Sequence, residues 1–547
     1  MATRTNKACA CGCAVLLCAL LVLSLCLTLY RARRCSSGSF AHGAVAADSG
    51  TCSRIGRDIL QQGGSAVDGA IAALLCTSLV NPQSMGLGGG SIFTVREKTG
   101  KVTVINSRET VPKAFKADLQ NSCPKWIGVP GEIRGYQQAH QLYGRLPWAR
   151  LFQPAIKLAR EGIVVSAILE RYLVLLSNTN ETSPLRELFS TKNNKLLKKG
   201  DVLRFEKLAD TLEILANQGP DAFYTGKIAK DLIQDIQDAG GTLSLEDLES
   251  YKAKVRDAWK IVLDDYIMYF PPPPAGGAIL SFILNIMKGY NLDPSSVLSG
   301  QKTLTYHRYV EACKFANSWK RYIRDPDFFP NKNALKLTKD ELVDSTRAKI
   351  SSNKTHDSAY YNVMPTWDHM GTTHISILAE DGTAVSVTSS INYIFGSRVY
   401  SPKTGVILNN QLLDFCGLAD HISVGEQPPS SMAPVILHSS IRQKTMVFGG
   451  SGGSMITTGV ALAIMNHLWF GKDLKEAISA PVVFVDSENA VKFESSFDQE
   501  VVKSLKTMGH RFVNSSYFYN VVNAVTKQGG CVGAVSDARK LGEAAGY

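Results

Sequence analysis

The sequence predicts a layered α/β or α+β body, strand-rich at its centre and covered by helices, behind an N-terminal membrane-spanning helix. Three observations lead there. From residue 372 onward the composition turns to Val, Ile, Ser, Thr and Gly and strands predominate, whereas 131–160, 203–290 and 304–350 carry helical patterns. The length of 547 residues suits two to four domains, or one large multilayer body with insertions. Residues 9–30 hold about 20 apolar or small side chains in succession, roughly 30 Å of helix.

That apolar run is longer than the centre of a cleaved signal peptide, and it exits into Arg31-Ala-Arg33-Arg34 rather than an Ala-x-Ala site. It reads as an uncleaved signal-anchor at 9–30 behind a tail of residues 1–8. Arg4 and Lys7 on one side and three arginines on the other leave its orientation open. The triplets starting at Asn180, Asn353 and Asn514 fit the N-glycosylation pattern. Five of the twelve cysteines lie in or beside the apolar run. The other seven, Cys35, Cys52, Cys76, Cys123, Cys313, Cys416 and Cys531, have no metal-ligand spacing and suit one or two bridges. Cys35, near the membrane, is a candidate for pairing between chains. The net charge of +11 is scattered, and its densest group, Lys195-Leu-Leu-Lys-Lys199, is too short for a nucleic-acid track.

Along the body, 53–62 is helical and Gly63-Gly64 breaks it. Ser65 and Asp68 then form a capping pair for a helix running to Val80, apolar almost all round and so buried between layers. Met85-Gly-Leu-Gly-Gly-Gly90 leads into strands 91–96 and 101–105. Helix precedes the glycines and strand follows, the reverse of the order a phosphate-cradling loop needs. Two amphipathic helices, 131–140 and 148–160, come next, and several more over 203–290. These are interrupted by Tyr269-Phe-Pro-Pro-Pro-Pro-Ala-Gly-Gly277, a polyproline segment delivering the chain into an apolar helix at 278–286.

Thr373, Ile375, Ile377 and Ala379 alternate with Thr372, His374, Ser376 and Leu378, and 384–388 returns as a hairpin. A two-residue turn at Asp381-Gly382 sets Thr372 opposite Ile391 and beside Ser390, so that a bulge is needed for the two hydroxyls to touch. A strand-leading threonine is a potential nucleophile. If the bond before it is cut, its own α-amine becomes an available base. Three clusters follow: Thr388-Ser-Ser390-Ile-Asn392; Asn409-Asn-Gln411-Leu-Leu-Asp414; and Pro428-Pro-Ser430-Ser431 with Gly449-Gly-Ser-Gly452-Gly453-Ser454. Gln411 and Asp414 share a face if their stretch is a helical turn and, with Asn392, suit an ammonium group. Seryl hydroxyls suit a carboxylate, and a glycine turn entering the helix at 455–468 suits an oxyanion.

These blocks resemble the gamma-glutamyltransferase family, most closely its leukotriene C4-hydrolysing branch. The resemblance is carried by Ala44-Val-Ala-Ala-Asp48, Pro82-Gln-Ser-Met-Gly-Leu-Gly-Gly-Gly90, Val104-Ile-Asn-Ser-Arg-Glu-Thr110, Gly128-Val-Pro-Gly-Glu132, Gly144-Arg-Leu-Pro-Trp148, Pro429-Ser-Ser-Met432 and Gly542-Glu-Ala-Ala-Gly-Tyr547. It implies a four-layer αββα sandwich of the N-terminal-nucleophile hydrolase type, made as one precursor that cuts itself between Gly371 and Thr372. A large subunit, 31–371 beyond the anchor, and a small one, 372–547, would then form a heterodimer.

Residue by residue, the resemblance makes Thr372 the nucleophile and Ser390 its hydrogen-bond partner. Arg108, Ser430 and Ser431 become the clamp on the substrate α-carboxylate. Asn392, Gln411 and Asp414 hold the α-ammonium, and Gly452 and Gly453 supply the oxyanion N–H groups. Cys52–Cys76 matches a family disulfide and places the body outside the cell, giving a single-pass type II protein of the cell membrane with a cytoplasmic tail. A second bridge familiar in animal members has no match. Expected partners are glutathione, its conjugates, leukotriene C4 and amino-acid or dipeptide acceptors; no metal or organic cofactor is required.

Three residues depart from the family pattern: Ser390 stands for Thr, Gln411 for the more common Glu, and Ser107 for Ala, the last expected to alter the entrance slightly. The rival of another class is a non-catalytic surface glycoprotein that keeps the fold.

Overall fold

The computed structural model describes residues 35, 38–115, 126–180, 182–363, 371–416, 421–513 and 520–547. Strands of the two main sheets are β1 (Ser39–Phe40), β2 (Ala44–Ala47), β3 (Gly90–Arg96), β4 (Val102–Asn106), β5 (Lys254–Asp257), β6 (Trp259–Leu263) and β7 (Tyr266–Phe270). They continue as β8 (Thr373–Leu378), β9 (Ala384–Ser390), β10 (Val435–Ser439), β11 (Lys444–Ser451), β12 (Val521–Gln528), β13 (Cys531–Val535) and β14 (Glu543–Gly546). The helices that matter below are α1 (Gly50–Gln61), α2 (Ala66–Val80), α3 (Glu132–Tyr143), α4 (Trp148–Glu161), α5 (Gly277–Lys288), α6 (Lys302–Trp319) and α7 (Ile456–Leu468).

One seven-stranded sheet runs β14-β2-β8-β9-β3-β4-β5 and the other β1-β13-β12-β11-β10-β7-β6, with antiparallel neighbours throughout. The sheets face each other through β8 and β9 against β10, β11 and β12. Helices α1–α3 cover the outer face of the first sheet, and α5 and α7 that of the second. The order of layers is therefore helix, sheet, sheet, helix. Alternation in β8 explains the middle of the stack. Ile375 and Ile377 join the core under α2, whereas Leu378 packs with Ile436, Val447 and Val525 between the sheets.

The capping box is present, with the Ser65 hydroxyl accepting from the Asp68 N–H and the Asp68 carboxylate from the Ser65 N–H. From there to Leu79 every residue of α2 is buried. Over 203–290 the helical expectation needs correction at its end, because β5, β6 and β7 are strands. Short runs such as Tyr266–Phe270 fit either period; β7 takes its place between its hairpin partner β6 and the distant β10, so pairing rather than local pattern decides.

The hairpin register also differs. Ala379 and Thr383 pair across a three-residue loop, with Gly382 at φ +87°. Ladder partners run from Leu378–Ala384 to Thr373–Ser389. One more step sets Thr372 opposite Ser390, so both hydroxyls fall on one face and no bulge is needed.

The membrane expectation is corrected. No helix among the described residues is long and apolar enough to cross a membrane. The run at 9–30, on which the anchor, the type II topology, the cell-membrane location and the bilayer partner rested, lies outside the described residues. Cys52–Cys76 is bonded, with S–S 2.02 Å. Cys35 pairs within the chain, to Cys531, instead of between chains. That bridge joins residues 496 positions apart because β1 lies against β13.

His374 lies between the sheets, Nδ1 2.9 Å from Thr388 Oγ1 and Nε2 2.9 Å from Ser376 Oγ. Its ring fills the space where a Cβ on Gly449 would sit, 2.2 Å from Cε1. Burial holds its pKa down at about 3. A folded value below the unfolded one means that stability is present above about pH 6.5 and is lost as pH falls toward 3. Between pH 7.5 and 5 the loss from this residue should be about 2 kcal/mol. His374→Gln should flatten the fall of the urea midpoint over that range; an equal fall in both proteins places the acid sensitivity elsewhere.

Candidate active site

Both sheets end at one edge of the sandwich, and chemistry gathers there. Thr372 precedes β8 and Ser390 closes β9, with Thr372 Oγ1 3.2 Å from Ser390 Oγ. The Ser390 hydroxyl accepts the Asn392 N–H at 2.8 Å, which limits its rotation even without the methyl of a threonine. Thr372 is 3% exposed and has φ +80°, a conformation that strains a β-branched residue. Across from it, β11 of the second sheet ends at Ser451 and is followed by Gly452 (φ +123°) and Gly453 (φ +57°) before α7. The Gly452 N–H donates to the Gly371 carbonyl oxygen at 3.1 Å. A Cβ on Gly371 would lie 1.9 Å from the Asn392 carbonyl oxygen, so only glycine fits before Thr372.

Arg108, two residues beyond β4, is wholly buried. Its Nε donates to Pro428 O at 2.8 Å, and its Nη2 donates to Pro429 O at 2.7 Å and pairs with Asp414. Its Nη1 is buried with no hydrogen-bond partner among the described residues. Gln411 and Asp414 do share one turn, a 3-10 helix over Gln411–Phe415. Asp414 accepts from Asn392 Nδ2 at 3.0 Å and from Gln411 Nε2 at 3.1 Å. The amide at 411 thus steadies the carboxylate, where a glutamate would set two like charges together, and its Oε1 has no partner among the described residues. Ser430 and Ser431 complete the rim, held by the proline segment: Ser430 N–H donates to Pro274 O at 2.7 Å and Gly276 N–H to Met432 O at 2.9 Å. One small cleft is lined by Arg108, Thr372, Ser390, Asn392, Gln411, Asp414, Ser430, Ser431 and Gly453.

Ser107 does not reach the entrance. Its hydroxyl is buried against Ser91, 3.0 Å from Ser91 Oγ. Of the glycosylation triplets, Asn180 and Asn353 are exposed, and Asn514 lies outside the described residues.

Several supporting residues were not singled out from the sequence. The Arg108 carbonyl accepts from Tyr251 OH at 2.7 Å and Gln427 Nε2 at 2.9 Å, while Asn106 receives the Arg108 N–H. Glu109 and Glu132 lie behind the cleft, their carboxyls pushed up by burial to about 8 and about 7. Lys540 and Asp48 form a wholly buried pair beside Thr372. Asn106, Glu109 and Asp48 stand inside the motif blocks, which is the signal that was available; Lys540 carries none.

Two stacked antiparallel sheets between helical layers, with a hydroxyl residue heading a central strand after a constrained glycine, define an N-terminal-nucleophile hydrolase. A family model, gamma-glutamyltranspeptidase, matches residues 52–547, and the chain belongs to that family. It is 45% identical to the glutathione hydrolase 5 proenzyme of Homo sapiens over 566 residues, 96% of each chain. Its fold matches the cephalosporin acylase of Bacillus halodurans with a TM-score of 0.82, covering 94% of this chain and 97% of that one; at 24% identity this concerns the fold alone. The gamma-glutamyltranspeptidase of Helicobacter pylori is 27% identical with a TM-score of 0.54, over 60% of this chain and 95% of that one. The protein is accordingly an enzyme, a gamma-glutamyl hydrolase and transpeptidase of the self-processing kind.

Proposed function

We propose that the chain cuts itself between Gly371 and Thr372 and then uses Thr372 to cleave the gamma-glutamyl amide of glutathione, glutathione S-conjugates and leukotriene C4. The observation carrying this reading is the arrangement about the Gly371–Thr372 bond: its carbonyl oxygen already accepts from Gly452 N–H, and Thr372 Oγ1 faces the cleft beside Ser390 Oγ. Attack of Oγ on the Gly371 carbonyl converts the peptide to an ester, which water opens. Release relieves the strain at Thr372, because an N-terminal residue has no preceding carbonyl to clash with.

In turnover the same Oγ attacks the γ-carbonyl carbon of a donor, giving its proton to the new α-amine. The amine passes that proton to the leaving nitrogen as the C–N bond breaks. Water then releases glutamate from the acyl-enzyme, or the amine of an amino acid or dipeptide takes the glutamyl group. Arg108, with Ser430 and Ser431, holds the α-carboxylate; its unpartnered Nη1 supports this role. Asp414, Asn392 and the free Oε1 of Gln411 hold the α-ammonium. Gly452 and Gly453 stabilise the oxyanion.

The polar side chains of the cleft are all assigned to the glutamyl head, so the reading extends to donors with bulky thioethers, leukotriene C4 among them. The glutathione substrate class is also supported by the relative named glutathione hydrolase 5 proenzyme.

The two segments would stay together as a heterodimer after the cut, since β8 pairs with β2, β9 with β3 and β10 with β7. A reducing gel should show bands of roughly 40 and 19 kDa before any glycans at Asn180, Asn353 and Asn514, in proportion to 59.4 kDa over 547 residues. A single full-length band from an active preparation overturns the cut. Gly371→Ala should slow processing strongly. Turnover measured side by side on glutathione, oxidised glutathione and leukotriene C4, with and without a dipeptide, tests the donor range, and failure to turn over leukotriene C4 removes it.

A further inference from the structure

Lys540 reaches the start of β8 from the far end of the chain. Its side chain and that of Asp48 are wholly shielded from solvent. Lys540 Nζ donates to Asp48 Oδ2 at 2.7 Å and to the Thr372 carbonyl oxygen at 2.7 Å. Asp48 is itself fixed, accepting from Thr373 Oγ1 at 2.7 Å and from Asn523 Nδ2 at 2.7 Å. Topology imposes the meeting: β14, just past Lys540, pairs with β2, which ends one residue before Asp48 and also pairs with β8. The ammonium is thus interposed between the carboxylate and Thr372, and the pair turns its positive end toward that residue.

We propose that Lys540, oriented by Asp48, is a positioning residue that anchors the Thr372 carbonyl and holds the liberated α-amine in its neutral, proton-accepting form. This rests on the reading of Thr372 as nucleophile. A desolvated positive charge within one residue's span disfavours a second positive charge, lowering the amine from its ordinary range of about 7.7–8.0. The amine is then free to take the Oγ proton as the acyl bond forms.

Among the described residues, the other charged groups facing this site do not supply that effect. On β8, His374 is uncharged at neutral pH, its pKa held down at about 3 by burial. Strand β9 carries no titratable side chain, and Asp68 of α2 serves the capping box at the helix start. Lys444 of β11 and Lys527 of β12 belong to the far ends of their strands, Lys527 bonding Glu380 O. Across the cleft Arg108 is paired with Asp414. Behind it Glu109 and Glu132 are pushed up by burial, Glu132 accepting from Ser389. Asp537 and Arg539, in the turn that carries Lys540, pair with each other.

The test is the pH profile of kcat on the mature enzyme with gamma-glutamyl-p-nitroanilide. Removing the charge while avoiding an unpaired carboxylate calls for Asp48→Asn with Lys540→Met. The acidic limb should move up by about one pH unit or more, with KM changing less than about twofold. Lys540→Arg should return the limb toward the native position. A limb that stays in place in the cleaved double variant overturns the proposal. Independently of any variant, an NMR titration of the ¹⁵N-threonine-labelled mature enzyme should place the Thr372 amine below the ordinary α-amino range, and a value within or above that range overturns it too. Mass spectrometry of the trapped acyl-enzyme separates the two ideas. A glutamyl adduct elsewhere than Thr372 removes the nucleophile reading and this one with it, whereas an adduct on Thr372 with an unmoved limb removes only the role of Lys540.

Discussion

Thr372→Ala should leave a single uncut chain and lower glutamate release by at least about 10⁴-fold. The substitution removes the attacking oxygen from both reactions, and no neighbour replaces it. Ser390 Oγ is 3.2 Å away, but it sits at the end of a continuous strand with no α-amine of its own, and its lone pair already accepts the Asn392 N–H. Thr372→Ser is the matched control. It keeps the hydroxyl and loses the methyl that restricts χ1, so it should still cut and turn over, more slowly. Glutamate release by Thr372→Ala at near-native rate would show that another residue is the nucleophile.

Arg108→Lys should raise the donor KM about 10- to 100-fold, with kcat falling less. Lysine keeps a charge but not the planar fork, so it cannot hold Asp414 and the two proline carbonyls while still presenting a donor to the substrate carboxylate, as Nη1 of the arginine does. The cost is greater because the guanidinium is wholly buried. Arginine also serves Pro428 O, Pro429 O and Asp414, and one ammonium on a shorter stem leaves at least one of these buried acceptors unmet, about 1–3 kcal/mol each. A lower thermal midpoint should therefore accompany the KM change. An unchanged KM removes Arg108 from the carboxylate role even if stability falls.

Legibility in the sequence followed how local each feature is. The capped helix α2 was readable because its cap and apolar run are contiguous. The turn holding Gln411 and Asp414 was readable because three-residue spacing has one geometric meaning on a helical turn. Strands β5 and β7 were not, since short runs of ambiguous period take their state from distant partners, β4 and β10, and β6 follows β7 as its hairpin partner. The hairpin register turned on whether its loop has two residues or three, a choice made by Gly382 at positive φ and the Ala379–Thr383 pair. Ser107 adjoins Arg108 in sequence, yet its hydroxyl meets Ser91 while the arginine side chain reaches Asp414, a divergence set by contacts beyond the end of β4.

By itself the sequence determined the chemistry available: a hydroxyl at 372, a guanidinium at 108, the polar set at 392, 411 and 414, and glycines where backbone must come close. Side-chain identity is a local property, and the order of the blocks tied it to one family. Only the tertiary structure decided that Thr372 and Ser390 share a face, that the Gly371 carbonyl meets the Gly452 N–H, and that Cys35 finds Cys531. It alone brought Lys540 and Asp48, 492 residues apart, against one carbonyl. Such contacts depend on register and on the pairing of strands from opposite ends of the chain, and those are set by burial of the whole sandwich rather than by any stretch of sequence within it.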